Sequence, residues 1–170
     1  MTAPALLRAE ASRALLMRRD TAEILTRLFY LERSLIISLA GWTPAVERME
    51  TKATLARILW ENSVAADRLR NRVLELRYPS RVVAPDKHRS AIALFDAARN
   101  APSQEAFVMG MADVLFPALR AAYQTYLLLS DRISDGPSSL LLKHALSDKE
   151  EQIVSLSALA EQMLTLSPHR

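Results

Sequence analysis

The chain has 170 residues, half of them hydrophobic, with 22 Lys plus Arg against 19 Asp plus Glu and no cysteine. That is one domain's worth of chain with enough apolar residues for a sizeable core, and the lack of cysteine excludes disulfides, zinc–thiolate sites and a cysteine nucleophile. The net charge of +3 comes with no basic run interleaved with aromatics, which argues against a nucleic-acid partner. No uninterrupted apolar run reaches the ~18 residues of a membrane span, so neither a membrane partner nor a membrane location is expected, and a reducing cytoplasm is the expected compartment.

Glycine is scarce, with three in the whole chain, and the prolines fall between apolar runs; the periodicity is helical throughout. Residues 1–19 form a short amphipathic leading helix. The first core helix spans 20–40, opened by Asp20 and Glu23 as a capping box and closed by Gly41. The second spans 44–77, from Thr43-Pro44 to a stop at Pro79. Residues 79–102 are too long for a turn and hold a short helix at about Asp86–Ala98; they are read as a crossover that makes the second and third core helices parallel. The third core helix spans 103–134 with a kink or break at Pro117, and the fourth spans 138–166 after Asp135-Gly136-Pro137. The expected architecture is an all-α four-helix bundle: two antiparallel hairpins joined by one long crossover.

Each core helix has an apolar stripe, and a few polar residues fall inside these stripes. They are Glu32 in the first, Asn62 in the second, Tyr123 and Tyr126 in the third, and Lys149 and Gln152 in the fourth. Each stands near the middle of its helix, so all are expected at one level of the bundle, where such folds build metal and cofactor sites. A carboxylate buried without a partner is costly, so Glu32 needs one. The second helix has a further apolar strip of Met49, Ala53, Ala56, Trp60 and Val64. A helix apolar on two sides needs two partners, and a second copy of the chain is the expected one, giving a homodimer with Trp60 in the packing.

The hairpin–crossover–hairpin order, with Glu32 and the segments Trp60–Asp67 and Ser147–Ile153, resembles the ferritin-like superfamily over about residues 20–166. The resemblance implies a dinuclear site fed by a Glu from the first helix, an ExxH from the second, a Glu from the third and an ExxH from the fourth. Glu32 matches the first. Asn62 and Ala65 stand in the second-helix slots and Lys149 and Gln152 in the fourth-helix slots, while the third-helix stripe offers Ala122, Tyr123 or Tyr126 and no carboxylate. The histidines do not help: His88 lies in the crossover, His169 at the terminus, and His144 off its stripe.

A di-iron site needs several carboxylates and usually imidazoles. One acid in the predicted layer, facing a lysine, predicts a metal-free polar layer in which Lys149 neutralises Glu32. Three roles are open to it: fixing helix register, lining a small-molecule pocket, or keeping iron or manganese through Glu32, Glu61, Glu150 and Glu151. Glu61 lies four residues after Arg57, the spacing of a surface ion pair, and Glu150 and Glu151 flank their stripe. The function that follows is a structural or interaction module lacking the complete di-iron ligand set. The alternatives are a ferritin-like oxidase or oxygenase with an atypical metal set or core pocket, or a partner of a separate catalytic subunit.

Overall fold

A computed structural model describes residues 16–79, 88–131 and 135–166. Every element among them is helical, with no strand. In chain order they are α1 (Arg18–Trp42), α2 (Met49–Glu75), α3 (Arg89–Arg99), α4 (Gln104–Gly110), a π-helical turn (Met111–Leu115), α5 (Phe116–Leu129) and α6 (Gly136–Leu166). Most of the expected leading helix, the residues 80–87 of the crossover with Asp86, residues 132–134 at the end of the expected third core helix, and His169 lie outside the described residues.

The boundaries differ from the sequence reading where tertiary contacts override local signals. Met17 stands at the cap of α1 and its N–H donates to the Asp20 carboxylate at 3.0 Å, so Asp20 fills the third helical position instead of the cap. Glu23 instead accepts from Arg19 at 3.1 Å and from the Tyr78 hydroxyl at 2.9 Å. Helix α1 runs through Gly41 to Trp42, whose indole stacks on Phe107 at 4.9 Å between centroids and donates to the Arg99 carbonyl at 3.2 Å. The connection after it buries Val46, which holds the chain out of helical geometry past Pro44, and α2 begins only at Met49.

Pro117 lies in the first turn of α5, directly after the π turn. Proline has no N–H and its ring collides with the carbonyl four residues back. A wider turn removes that clash: the Phe116 N–H closes it on the Met111 carbonyl, five residues back. The wider turn offsets the helical register by one residue, which sets which side chains of α5 face inward.

Contacts fix the directions. Glu23 near the start of α1 meets Tyr78 beyond the end of α2, so these two are antiparallel. Along α2 and α6, Arg72 meets Ser138 at 2.8 Å and Arg57 meets Ser155 at 3.2 Å, again antiparallel. The Glu47 N–H, just before α2, donates to Gln104 at the start of α4 at 3.3 Å, so the α4–α5 rod enters at the same end as α2. Helix α3 packs on α1 and buries Ala91, Phe95 and Ala98. The arrangement is compatible with a four-helix bundle.

The core is shared by all the long elements: Leu25, Leu28 and Leu35 of α1, Leu55 and Ile58 of α2, Phe107 and Phe116 on the α4–α5 rod, Leu142 and Leu156 of α6. The run Gln104–Leu129 has the length and mean hydropathy of a membrane span despite its interior charges, and 56% of its most apolar window is buried inside the structure, as for a core helix.

Candidate functional site

Helical periodicity brings Glu32, Asn62, Tyr123, Lys149 and Gln152 to the interior, all essentially without solvent exposure. Lys149 is the centre. Its Nζ lies 2.8 Å from Glu32 Oε1, donates to Asn62 Oδ1, and donates to Gln152 Oε1 at 3.3 Å. A lysine ammonium has three N–H donors, and these three oxygens take them. The ring of Phe116 closes the cage, its centroid 5.5 Å from Nζ, which places the cation against the π face.

Both amides are turned so that oxygen faces the cation. Asn62 donates its Nδ2 to the Ile58 carbonyl, one turn back on α2. Gln152 donates its Nε2 to Glu61 Oε2 at 2.8 Å, and Glu61 Oε1 accepts from Arg57 at 2.7 Å. The network thus runs from half-exposed Arg57 to the buried cage. Sequence periodicity places Glu61 on the surface with Arg57; that pair is present, but the second carboxylate oxygen of Glu61 reaches inward. Only its place one residue before Asn62 could have signalled this.

Tyr123 donates its hydroxyl to Glu32 Oε1. Burial, and then the charge and hydrogen bond of Glu32, push its pKa well above the ordinary tyrosine value, so it stays protonated as a donor. Glu32 Oε1 therefore accepts twice, while Oε2 has no hydrogen-bond partner among the described residues.

Tyr126 stands apart from this cage. It is buried, but its hydroxyl donates to Asp135 at the start of α6. Asp135 Oδ1 also accepts from Arg72 at 3.1 Å, and Arg72 Nε donates to Ser138. This second cluster ties the end of α2 to the α5–α6 connection. Burial and the bond to Asp135 raise the pKa of Tyr126 too. Asp135 and Arg72 were missed because one sits in a connection and the other on a charged strip, where periodicity carries no signal.

Glu150, Glu151 and His144 are exposed, so the alternative acids of α6 do not join Glu32. Among the described residues no group of three or more His, Asp or Glu side chains is placed to share a metal ion. An ammonium, two amides and one carboxylate do not fit a dinuclear metal centre, which requires several anionic oxygens around two hard cations. A small cavity of about 50 Å³ lies between α1 and α2, lined by Thr26, Phe29, Arg70, Val73 and Leu74, none of them a cage residue. Trp60, expected in packing, is 66% exposed, and Met49 is 73% exposed. Comparison with family models, curated proteins and solved structures finds no match for the chain.

Proposed function

We propose that this protein is a structural or interaction module: a ferritin-like helical bundle in which an internal ammonium stands where a metal would be held. The observation that carries the reading is the set of three oxygens from Glu32, Asn62 and Gln152 around Lys149 Nζ. A cation of fixed charge, held by oriented carbonyl oxygens and one carboxylate, neutralises the layer without anything from solution. The helix directions, with α2 and the α4–α5 rod entering at one end, support the ferritin-like connectivity.

In this reading the layer performs no chemistry. Lys149 directs its donors at Glu32, Asn62 and Gln152 and is no nucleophile in this arrangement, and Tyr123 is held as a hydrogen-bond donor. What the layer supplies is register: a buried polar set that is satisfied only when α1, α2, α5 and α6 are aligned. Metal analysis after loading the purified chain with iron or manganese tests it. No bound metal above background is expected; two equivalents per chain would overturn the reading.

A second reading, an oxidase- or oxygenase-type enzyme with a small-molecule pocket in the core, draws on one observation. Glu32 Oε2 is a buried acceptor without a donor among the described residues, and a ligand hydroxyl or amine would satisfy it. Metal uptake, or turnover of any substrate that Glu32→Gln abolishes, would favour this alternative.

A further inference from the structure

The cavity of about 50 Å³ between α1 and α2 is walled by Thr26 and Phe29 on one helix and by Arg70, Val73 and Leu74 on the other. Helical spacing puts each set on one side of its helix. Thr26 and Val73 are buried, Phe29 and Leu74 are half-buried, and Arg70 is exposed. Apolar groups therefore line the depth and a guanidinium stands at the mouth. The Thr26 hydroxyl donates to the Ala22 carbonyl at 2.7 Å, so its hydrogen is taken up within its own helix. Arg70 has no acidic partner within 4.0 Å among the described residues. The one acid within a turn of it on α2 is Asp67, which accepts from the Asn71 amide at 3.0 Å. On α1, Glu23 lies a turn before Thr26 and accepts from Arg19 and Tyr78. Arg33, a turn after Phe29, is a second cation with no acid within 4.0 Å among the described residues.

We propose that this cavity binds a small aliphatic monocarboxylate, its chain between Phe29, Val73 and Leu74 and its carboxylate on Arg70. The lining selects both halves of the ligand. A guanidinium offers N–H donors in a planar fork and no acceptor, and that fork matches the two oxygens of a carboxylate. An amine would meet a like charge at the mouth and no carboxylate in the wall. The depth of the cavity offers hydrocarbon, so a bare inorganic anion would use the mouth and leave the rest unfilled. Size sets the chain length: at roughly 10–15 Å³ for each water-sized group, the space takes a tail of about four carbons. Small-molecule sites have this composition, an apolar wall with one or two placed polar groups that fix orientation. None of the lining residues belongs to the Lys149 cage, so the inference goes beyond both readings of the polar layer. Metal loading and carboxylate binding can each fail while the other holds.

The probe is sodium pentanoate, titrated into the full isotope-labelled chain and followed by amide chemical shifts. Two comparison ligands separate the halves of the site: pentylammonium has the same chain with the opposite charge, and acetate has the same head without the chain. Pentanoate is expected to bind in the millimolar range and to shift the amides of Phe29, Val73 and Leu74. It is expected to bind about fivefold more tightly than either comparison ligand, the scale of a solvent-exposed ion pair. Arg70→Gln, at an exposed position, is expected to keep the helical circular dichroism spectrum and to remove the preference for pentanoate over pentylammonium. Equal affinity of the unaltered chain for those two ligands overturns the proposal, as does a preference that survives Arg70→Gln. Shifts confined to residues away from the α1–α2 seam overturn it too. No shift at any soluble pentanoate concentration would mean that the cavity takes water only, and overturns it as well.

Discussion

The Lys149 ammonium and its acceptors show how a charge is held in an apolar interior. Removing two charges from water is unfavourable, and their mutual attraction offsets this only when the remaining hydrogen-bonding capacity is also satisfied. Here the satisfaction is uneven: Lys149 is complete, while Glu32 uses one oxygen twice and its other oxygen has no partner among the described residues. Truncating one partner should therefore be far worse than removing both. Lys149→Met leaves an uncompensated buried carboxylate and is expected to destabilise the chain by about 3–5 kcal/mol. The double variant Glu32→Leu, Lys149→Met removes the charge pair altogether and is expected to recover most of that loss. Urea denaturation of the two single variants and the double variant measures the coupling; additive effects would mean that the pair is not a unit.

The elements were legible in proportion to their tertiary load. The stripes of α1, α2, α5 and α6 are long and regular, so Glu32, Asn62, Tyr123, Lys149 and Gln152 could be placed inside from spacing alone. Helix ends were less legible, because Gly41 and Thr43-Pro44 are strong local signals overridden by the burial of Val46 and the docking of Trp42. Tyr126 has the right spacing for the cage, yet its hydroxyl is taken by Asp135, a turn residue that no periodic pattern can place. The π turn before Pro117 is a more consequential case. Pro117 announces a kink or break, and the structure divides the rod just before it by a π turn that adds one residue. Deleting the exposed Asp113 should restore an uninterrupted α-helix and return Pro117 to a helix interior, where it costs about 3 kcal/mol or more. The deletion in the Pro117→Ala background should cost clearly less. Urea unfolding midpoints test this pair; equal destabilisation in the two backgrounds would mean that the π turn is not an accommodation of the proline.

At the scale of the whole molecule, the two polar clusters link four helices and place two tyrosines in the interior, where both must stay protonated. Tyr123 and Tyr126 have raised pKa values in the folded state, chiefly through burial and then through their carboxylate partners. In the unfolded chain they ionise at the ordinary value of about 10. The folded state thus binds more protons than the unfolded one above that pH, and stability falls as pH rises. The tyrosine contribution is fully present below about pH 10 and is lost progressively above it, by up to about 1.4 kcal/mol per pH unit for each tyrosine. The urea midpoint should accordingly show no tyrosine-linked change between about pH 7 and 9 and should decline at higher pH. Phenylalanine cannot ionise, so Tyr123→Phe with Tyr126→Phe should start from a lower midpoint, having lost the bonds to Glu32 and Asp135, but follow a flatter alkaline limb. The difference in slope between the two proteins, not the difference in midpoint, isolates the tyrosines from the lysines and arginines that titrate alongside them. Parallel alkaline limbs would show that these hydroxyls lose their protons as readily inside as outside, and that neither is held as the fixed donor on which the Glu32 and Asp135 clusters depend.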